Sequence, residues 1–228
     1  MYILGISSTT KILSVALISD SEVLAEFSVT GERSKAEQIT LFVEESFKKA
    51  KLDINKVEAV AVTQGPGSYG GIRGGVTSAK SFAQVLKVPV IGVSTLEAMA
   101  YNFSGSNRTC MIILDAKSDE FNLALFADAK DGLKRLTDDF VISRDKLFEK
   151  IKQIDGNLIV AGALDKLDLP KELKNKDNLT FVSFLKSFPR AVNVAKIAVN
   201  KVKEAGLESF LSLIPKYSHR PNIKRFVK

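Results

Sequence analysis

Two groups of residues in this chain have types and spacings suited to handling an anion. The first lies in residues 65–75, which read Gly-Pro-Gly-Ser-Tyr-Gly-Gly-Ile-Arg-Gly-Gly and hold six of the fourteen glycines. A glycine inside regular structure costs roughly 0.5–1 kcal/mol relative to alanine, so bare backbone must serve a purpose there. Gly65, Gly67 and Gly70 meet the G-x-G-x-x-G spacing and, with Ser68 and Gly71, would present N–H groups to a phosphate at a helix N-terminus. The second group sits at two strand ends, Ser7 and Ser8 near the start and Asp115 at mid-chain. A carboxylate at such a place suits a metal-bound water beside a nucleotide phosphate, whereas a serine does not hold magnesium with comparable charge.

Several companions that these motifs usually have are missing. A dinucleotide fingerprint wants an acid at the end of the following strand, which here ends in Val93 and Ser94. No Gly-Lys-Ser/Thr follows, so the loop is not a Walker loop. Two readings of the loop stay open: a bare nucleotide cradle, or a tight turn that packs closely on its neighbours. Arg73, its one charged side chain, suits either a phosphate or an acid on a partner. Cys110 is the only cysteine and His219 the only histidine, which removes disulfides, Cys/His zinc sites and histidine triads together. A Cys-His dyad stays formally open, but Cys110 falls in the apolar run 109–114 and reads as a buried, inert thiol.

The elements that must position these residues follow from apolar periodicity. Residues 3–6, 12–18 and 23–29 predict three short strands in an antiparallel meander. Ser34 and Glu37 have the spacing of a capping box, and Ile39, Phe42, Val43, Phe47 and Ala50 then form a helical stripe ending near Lys51. The run 58–63 predicts the strand before the glycine loop, and Ile72, Val76, Ala79, Ala83 and Leu86 one face of the helix after it. A strand over 89–93 and a helix from Ser94 and Glu97 to about Phe103 follow, and the polar stretch 102–108 predicts a domain boundary. Pro189 opens a last helix through Val192, Ala195, Val199 and Val202, with Gly206 at its end.

The second half repeats the first. A shift of 108 positions lays residues 3–18 over 111–126, so that Ala16 meets Ala124, Leu17 meets Leu125, and Ser7 meets Asp115. Copy two continues through a helix from Ser143 with Leu147, Ile151 and Ile154, a strand at 158–161, and Gly162, the element order of copy one. The expected architecture is α/β in two domains, 1–104 and 105–228.

With 45% hydrophobic and 26% charged residues the composition is that of an ordinary globular protein. No apolar run approaches the ~18 residues of a membrane span, and residues 1–6 lack a basic leader, so a cytoplasmic location is expected. The net charge is +7, and residues 216–228 carry five Lys/Arg and no Asp/Glu, leaving 7 − 5 = +2 for the rest. That basic tail suits RNA phosphates, or a solvated or partner-docked terminus.

The opening Ile-Leu-Gly-Ile-Ser-Ser-Thr-Thr, the glycine loop, Pro-Val-Ile-Gly-Val-Ser-Thr-Leu, Asp-Ala-Lys-Ser-Asp-Glu and the late Pro-Lys-Tyr-Ser-His-Arg together resemble the bacterial TsaB (YeaZ) family. The resemblance implies two actin-like (ribonuclease H-like) lobes, each a mixed sheet flanked by helices. It also implies a non-catalytic subunit in threonylcarbamoyladenosine formation on tRNA. Such a subunit would pair with a metal-bearing TsaD-like catalytic subunit, work with a TsaE-like ATPase, and dimerise with itself when alone. It would meet tRNA only through the complex and carry no metal or resident cofactor, with ATP or ADP at the partner interface. Carried onto this chain, that interface is the helix of Ile39, Phe42, Val43 and Phe47 with the helix of Ile72, Arg73, Val76, Ala79 and Ala83. The residues that would touch a nucleotide phosphate are Ser7, Ser8, Gly65, Gly67, Ser68, Gly70, Gly71 and Asp115. The family's strand-end aspartate is Ser7 here, and Ser34 and Lys35 stand where a histidine often precedes the first helix. A lone histidine cannot supply a metal-holding pair, in keeping with a non-catalytic role. The competing expectation is a kinase or nucleotide hydrolase, active alone, using Asp115 and the glycine loop.

Overall fold

The computed structural model describes residues 1–20, 22–31, 35–129, 132–205 and 213–219. The expected Ser34 cap, the Gly206 helix end and residues 220–228 of the basic tail lie outside the described residues. The first half runs β1 (Ile3–Ser7), β2 (Ile12–Ile18), β3 (Val23–Thr30), α1 (Lys35–Ala50), β4 (Ala59–Gly65), α2 (Tyr69–Leu86), β5 (Val90–Ser94) and α3 (Thr95–Ala100). The second runs β6 (Thr109–Lys117), β7 (Glu120–Ala129), β8 (Gly132–Arg135), β9 (Phe140–Ser143), α4 (Arg144–Gln153), β10 (Leu158–Gly162), α5 (Lys171–Lys174), β11 (Leu179–Ser183), α6 (Phe184–Ser187) and α7 (Ala191–Ala205).

The first sheet has the order β3-β2-β1-β4-β5, with an antiparallel meander and parallel β1, β4 and β5. The second has the corresponding order β11-β10-β6-β7-β8, with β9 added beside β7. The expected duplication thus holds at the level of topology. Copy two departs in two ways: β9 is an extra strand, and β10 is followed by a single helical turn and the four-residue α5 where β4 is followed by the 18-residue α2.

Helices cover both faces of the first sheet, which is why β1 and β2 read as continuous apolar runs and are buried throughout. Leu4, Ile6, Val15, Leu17, Val60 and Val62 pack under α1 and α2. The alternate residues Ile3, Ala16, Ile18, Ala59 and Ala61 pack under α7. The boundary expected near residue 104 separates the two sheets, but the chain does not respect it afterwards. Helix α7 returns to the first lobe, and Ser14 Oγ accepts from its Ala191 N–H at 3.0 Å. The later segment 213–219 returns as well, with Leu213 buried in the α1–α2 core.

Helix α3 joins the lobes. Its Ala98 belongs to the α7 core, while Leu96, Met99 and Ala100 pack on Cys110, Ile112, Ala124 and Phe126 of the second sheet. Ser94 Oγ accepts from the Glu97 N–H at 3.4 Å as the capping box requires. Glu97 does not complete the box, because its carboxylate pairs with Arg135 (3.5 Å) and Lys201 (3.2 Å), tying β8 and α7 to the joint.

The pairing also corrects the 108-residue overlay. Ile3 lies opposite Ile18 and Ala59, and Cys110 opposite Phe126 and Ile159. Strand β2 therefore maps onto β7 by 108, but β1 maps onto β6 by 107. The extra residue falls in the second hairpin turn. Since a one-residue slip exchanges the faces of a strand, Asp115 corresponds to Ser8 and not to Ser7, and Ser7 corresponds to Leu114.

Candidate functional site

A cavity of about 750 Å3 opens between the lobes. On one side lie the β1–β2 turn (Thr9, Thr10, Lys11) and the start of α2 (Gly67, Ser68, Tyr69). On the other lie the end of β6 (Leu114, Asp115, Ala116, Lys117), the turn after β10 (Ala163, Asp165, Lys166) and Phe184. Tyr217, Ser218 and His219 close it.

Of the eight residues expected to touch a phosphate, Gly67, Ser68 and Asp115 line this cavity. Ser7 and Ser8 are buried and lie outside the lining. Ser7 Oγ has no hydrogen-bond partner among the described residues. Ser8 Oγ donates to the Gly71 carbonyl at 2.8 Å, beneath α2. Gly65 and Gly71 are buried behind the loop, and Gly70 faces open space.

The glycines serve close packing. A Cβ on Gly71 would overlap the Ser8 carbonyl, and one on Gly75 the Ser8 hydroxyl. Gly65, at φ +120°, leaves room for the Lys216 carbonyl, which a side chain would displace. Amides that a cradle would need are committed to the protein. Ser68 N–H donates to Thr9 O (2.7 Å), and Gly71 N–H to the Ser68 hydroxyl that caps α2 (3.2 Å). The carboxylate of Asp115 is exposed, and its Oδ1 accepts from the Lys117 N–H at 2.9 Å.

Most of the residues expected at the partner interface face inward. Ile39, Val43, Phe47, Ile72, Val76, Ala79 and Ala83 are each at most 8% exposed and form the core between α1, α2 and the sheet. Phe42 is half-buried and stacks on Phe27 at 5.8 Å. A helical apolar stripe is the face the fold consumes, so these residues hold the helices to the sheet and to each other, and the opposite face is left exposed. That face carries Leu41 (58% exposed), Val85 (79%) and the open glycines Gly70 and Gly74. Arg73 is exposed, lies over the Tyr69 ring at 5.3 Å and donates to the Tyr69 hydroxyl at 3.1 Å.

Cys110 and His219 do not form a dyad. Cys110 is buried beneath α3, and burial pushes its thiol up to about 12. His219 is on the cavity wall, where Nε2 meets the Glu120 carboxylate at 3.0 Å. An ordinary free thiol ionises near about 8.5, so at about pH 8 Cys110 stays protonated as well as inaccessible. Iodoacetamide followed by mass spectrometry should leave the native chain unlabelled, and label it fully once denatured.

Sequence reasoning did not single out Lys11, Lys117, Lys166 or Tyr217 as cavity residues. Lys11 and Lys166 stand in polar turns and Lys117 is the last residue of β6, places that carry no periodic signal, and Tyr217 stands only within the late Pro-Lys-Tyr-Ser-His-Arg motif.

The model of the family described as TsaD, tRNA N6-adenosine threonylcarbamoyltransferase, matches residues 22–228. The chain belongs to that family. Within it the chain resembles the TsaB (YeaZ) type, as the opening motifs implied. It is 28% identical over 165 residues to the tRNA threonylcarbamoyladenosine biosynthesis protein TsaB of Escherichia coli, covering 71% of each chain. It is 26% identical over 162 residues to the TsaB protein of Bacillus subtilis, again covering 71% of each. The solved structure of YeaZ from Pseudomonas aeruginosa superposes with a TM-score of 0.80 at 16% identity, covering 95% of this chain and all of that one. That likeness bears out the two actin-like lobes as a fold. Among the described residues no helix is long and apolar enough to cross a membrane.

Proposed function

We propose that this protein is a non-catalytic subunit of the assembly that makes threonylcarbamoyladenosine on tRNA, and that it docks a TsaD-like catalytic subunit on the outer face of α1 and α2. The family match and the TsaB-named relatives support the pathway. The docking face is supported chiefly by α2. Gly70 and Gly74 have nothing within 4 Å of where a side chain would begin, so another backbone can approach that helix closely. Val85 on α2 and Leu41 on α1 add exposed apolar side chains to the same layer. In the absence of the catalytic subunit the same surface serves a homodimer, and a TsaE-like ATPase acts on the assembled pair.

The test is sedimentation velocity of the full chain mixed with the TsaD-type protein of the same genome. A single heteromeric species at micromolar concentration is expected. Two independently sedimenting species would overturn the proposal.

A further inference from the structure

The cavity between the lobes has a composition that the docking role does not use. Tyr217 lines it and packs against Tyr69, with ring centres 5.0 Å apart and planes tilted by 32°. Arg73 covers Tyr69 from α2. Around this aromatic pair, the β1–β2 turn, the end of β6 and the turn after β10 bring exposed lysines: Lys11, Lys117 and Lys166. None of the three forms an ion pair among the described residues. Of the nearby acids, Glu120 pairs with His219 and Asp119 with Arg144, which leaves Asp115 and Asp165 against the lysines and Arg73.

We infer that the mouth of this cavity docks an unpaired stretch of RNA, with a base against Tyr217 and its phosphates on Lys11, Lys117 and Lys166. An aromatic surface bordered by cations is how proteins hold single-stranded nucleic acid: the rings take bases, and the cations follow the backbone. A duplex hides its base faces and cannot offer one to Tyr217. A compact polyphosphate fits less well, because two of the loop amides, Ser68 and Gly71, already donate to Thr9 and Ser68, and the lysines come from three separate segments. The volume suits one flipped-out base better than a helix, since about 300–1,000 Å3 is usual for small-molecule sites. The choice of RNA rests on the family's place in tRNA modification; the site itself rests on the geometry.

The experiment is fluorescence anisotropy with the full chain and a labelled seven-nucleotide single-stranded RNA, with a blunt RNA duplex and ATP–magnesium as competitors. Single-stranded RNA should bind and resist both competitors. Tyr217→Ala should weaken binding roughly tenfold. The exposed substitutions Lys117→Glu and Lys166→Glu, which leave the core intact, should each flatten the salt dependence by about 0.7 in the log–log slope. No binding, or full competition by ATP, would overturn the inference. So would affinity unchanged in all three variants, which would place the RNA outside this cavity. Failure here leaves association with the catalytic subunit untouched, because that is read separately by sedimentation.

Discussion

Leu41→Asp and Val85→Asp are expected to leave the fold intact and to abolish most of the association with the catalytic subunit. Both side chains point directly away from the core, at 58% and 79% exposure, so a carboxylate there stays in water in the free chain. On docking, the same carboxylate loses its water without gaining a partner. Truncating an interface anchor costs about 2–4 kcal/mol, and a desolvated unpaired charge is at least as costly. That corresponds to roughly 30-fold to 1,000-fold in affinity. Calorimetric titration against the catalytic subunit reads the loss, and a thermal melt verifies the fold. Val76→Asp is the contrast: at 4% exposure it places the charge in the α1–α2 core, so it should unfold the chain before docking is tested. Wild-type affinity in both surface variants would move the docking surface elsewhere.

The second large effect is a reversal of sign within a single helix turn. Gly71→Ala should destabilise the protein, because the new Cβ meets the Ser8 carbonyl, a backbone atom held by the β1–β2 turn. Overpacking of this kind costs roughly 1–3 kcal/mol. Gly74→Ala, three positions on, meets nothing within 4 Å and should stabilise the helix by about 1 kcal/mol, the usual glycine-to-alanine difference. For a chain of this size each kcal/mol moves Tm by about 2–4 °C, so the two melts should separate on opposite sides of wild type. If both variants fell together, α2 would not rest on Ser8 as described.

These two effects show where sequence carried the structure and where it did not. The helical stripes of α1 and α2 announced which side chains are apolar and in register, and the fold buries that face. The outward face proposed for docking has no comparable signature, since Leu41, Val85 and two glycines form no period. The duplication was legible in β2 and β7, where Ala16 and Leu17 fall on Ala124 and Leu125. It misled in β1 and β6 for a physical reason. Both strands are buried on each face through most of their length, so no alternation marks which residue points where. A one-residue difference in the hairpin turn leaves no trace in such strands, so the sequence alone aligns Asp115 with Ser7. Once the pairing is known, Asp115 matches Ser8, whose hydroxyl is buried against Gly71. A carboxylate there would sit beneath α2 beside a carbonyl oxygen, so the first lobe packs its helix on a place where the second exposes an acid.

The glycine loop was equally visible and equally ambiguous. Its spacing is shared by cradles and by close-packed turns, and only the tertiary partners separate them. Gly65 lies against Lys216 and Gly71 against Ser8, contacts across 151 and 63 positions of sequence that no local pattern contains. The cavity lysines are a similar case, assembled from turns that are individually unremarkable.

The most direct measurement is reconstitution of threonylcarbamoyl transfer from purified components, with product adenosine read by mass spectrometry. The chain alone, given ATP, magnesium, the threonylcarbamoyl donor and tRNA, should form no product and turn over no nucleotide. Adding it to the TsaD-like subunit and the TsaE-like ATPase should raise product formation well above that of the mixture without it, with saturation at stoichiometric amounts. Turnover of ATP or transfer by the isolated chain, or a mixture that works equally well without it, would contradict the account.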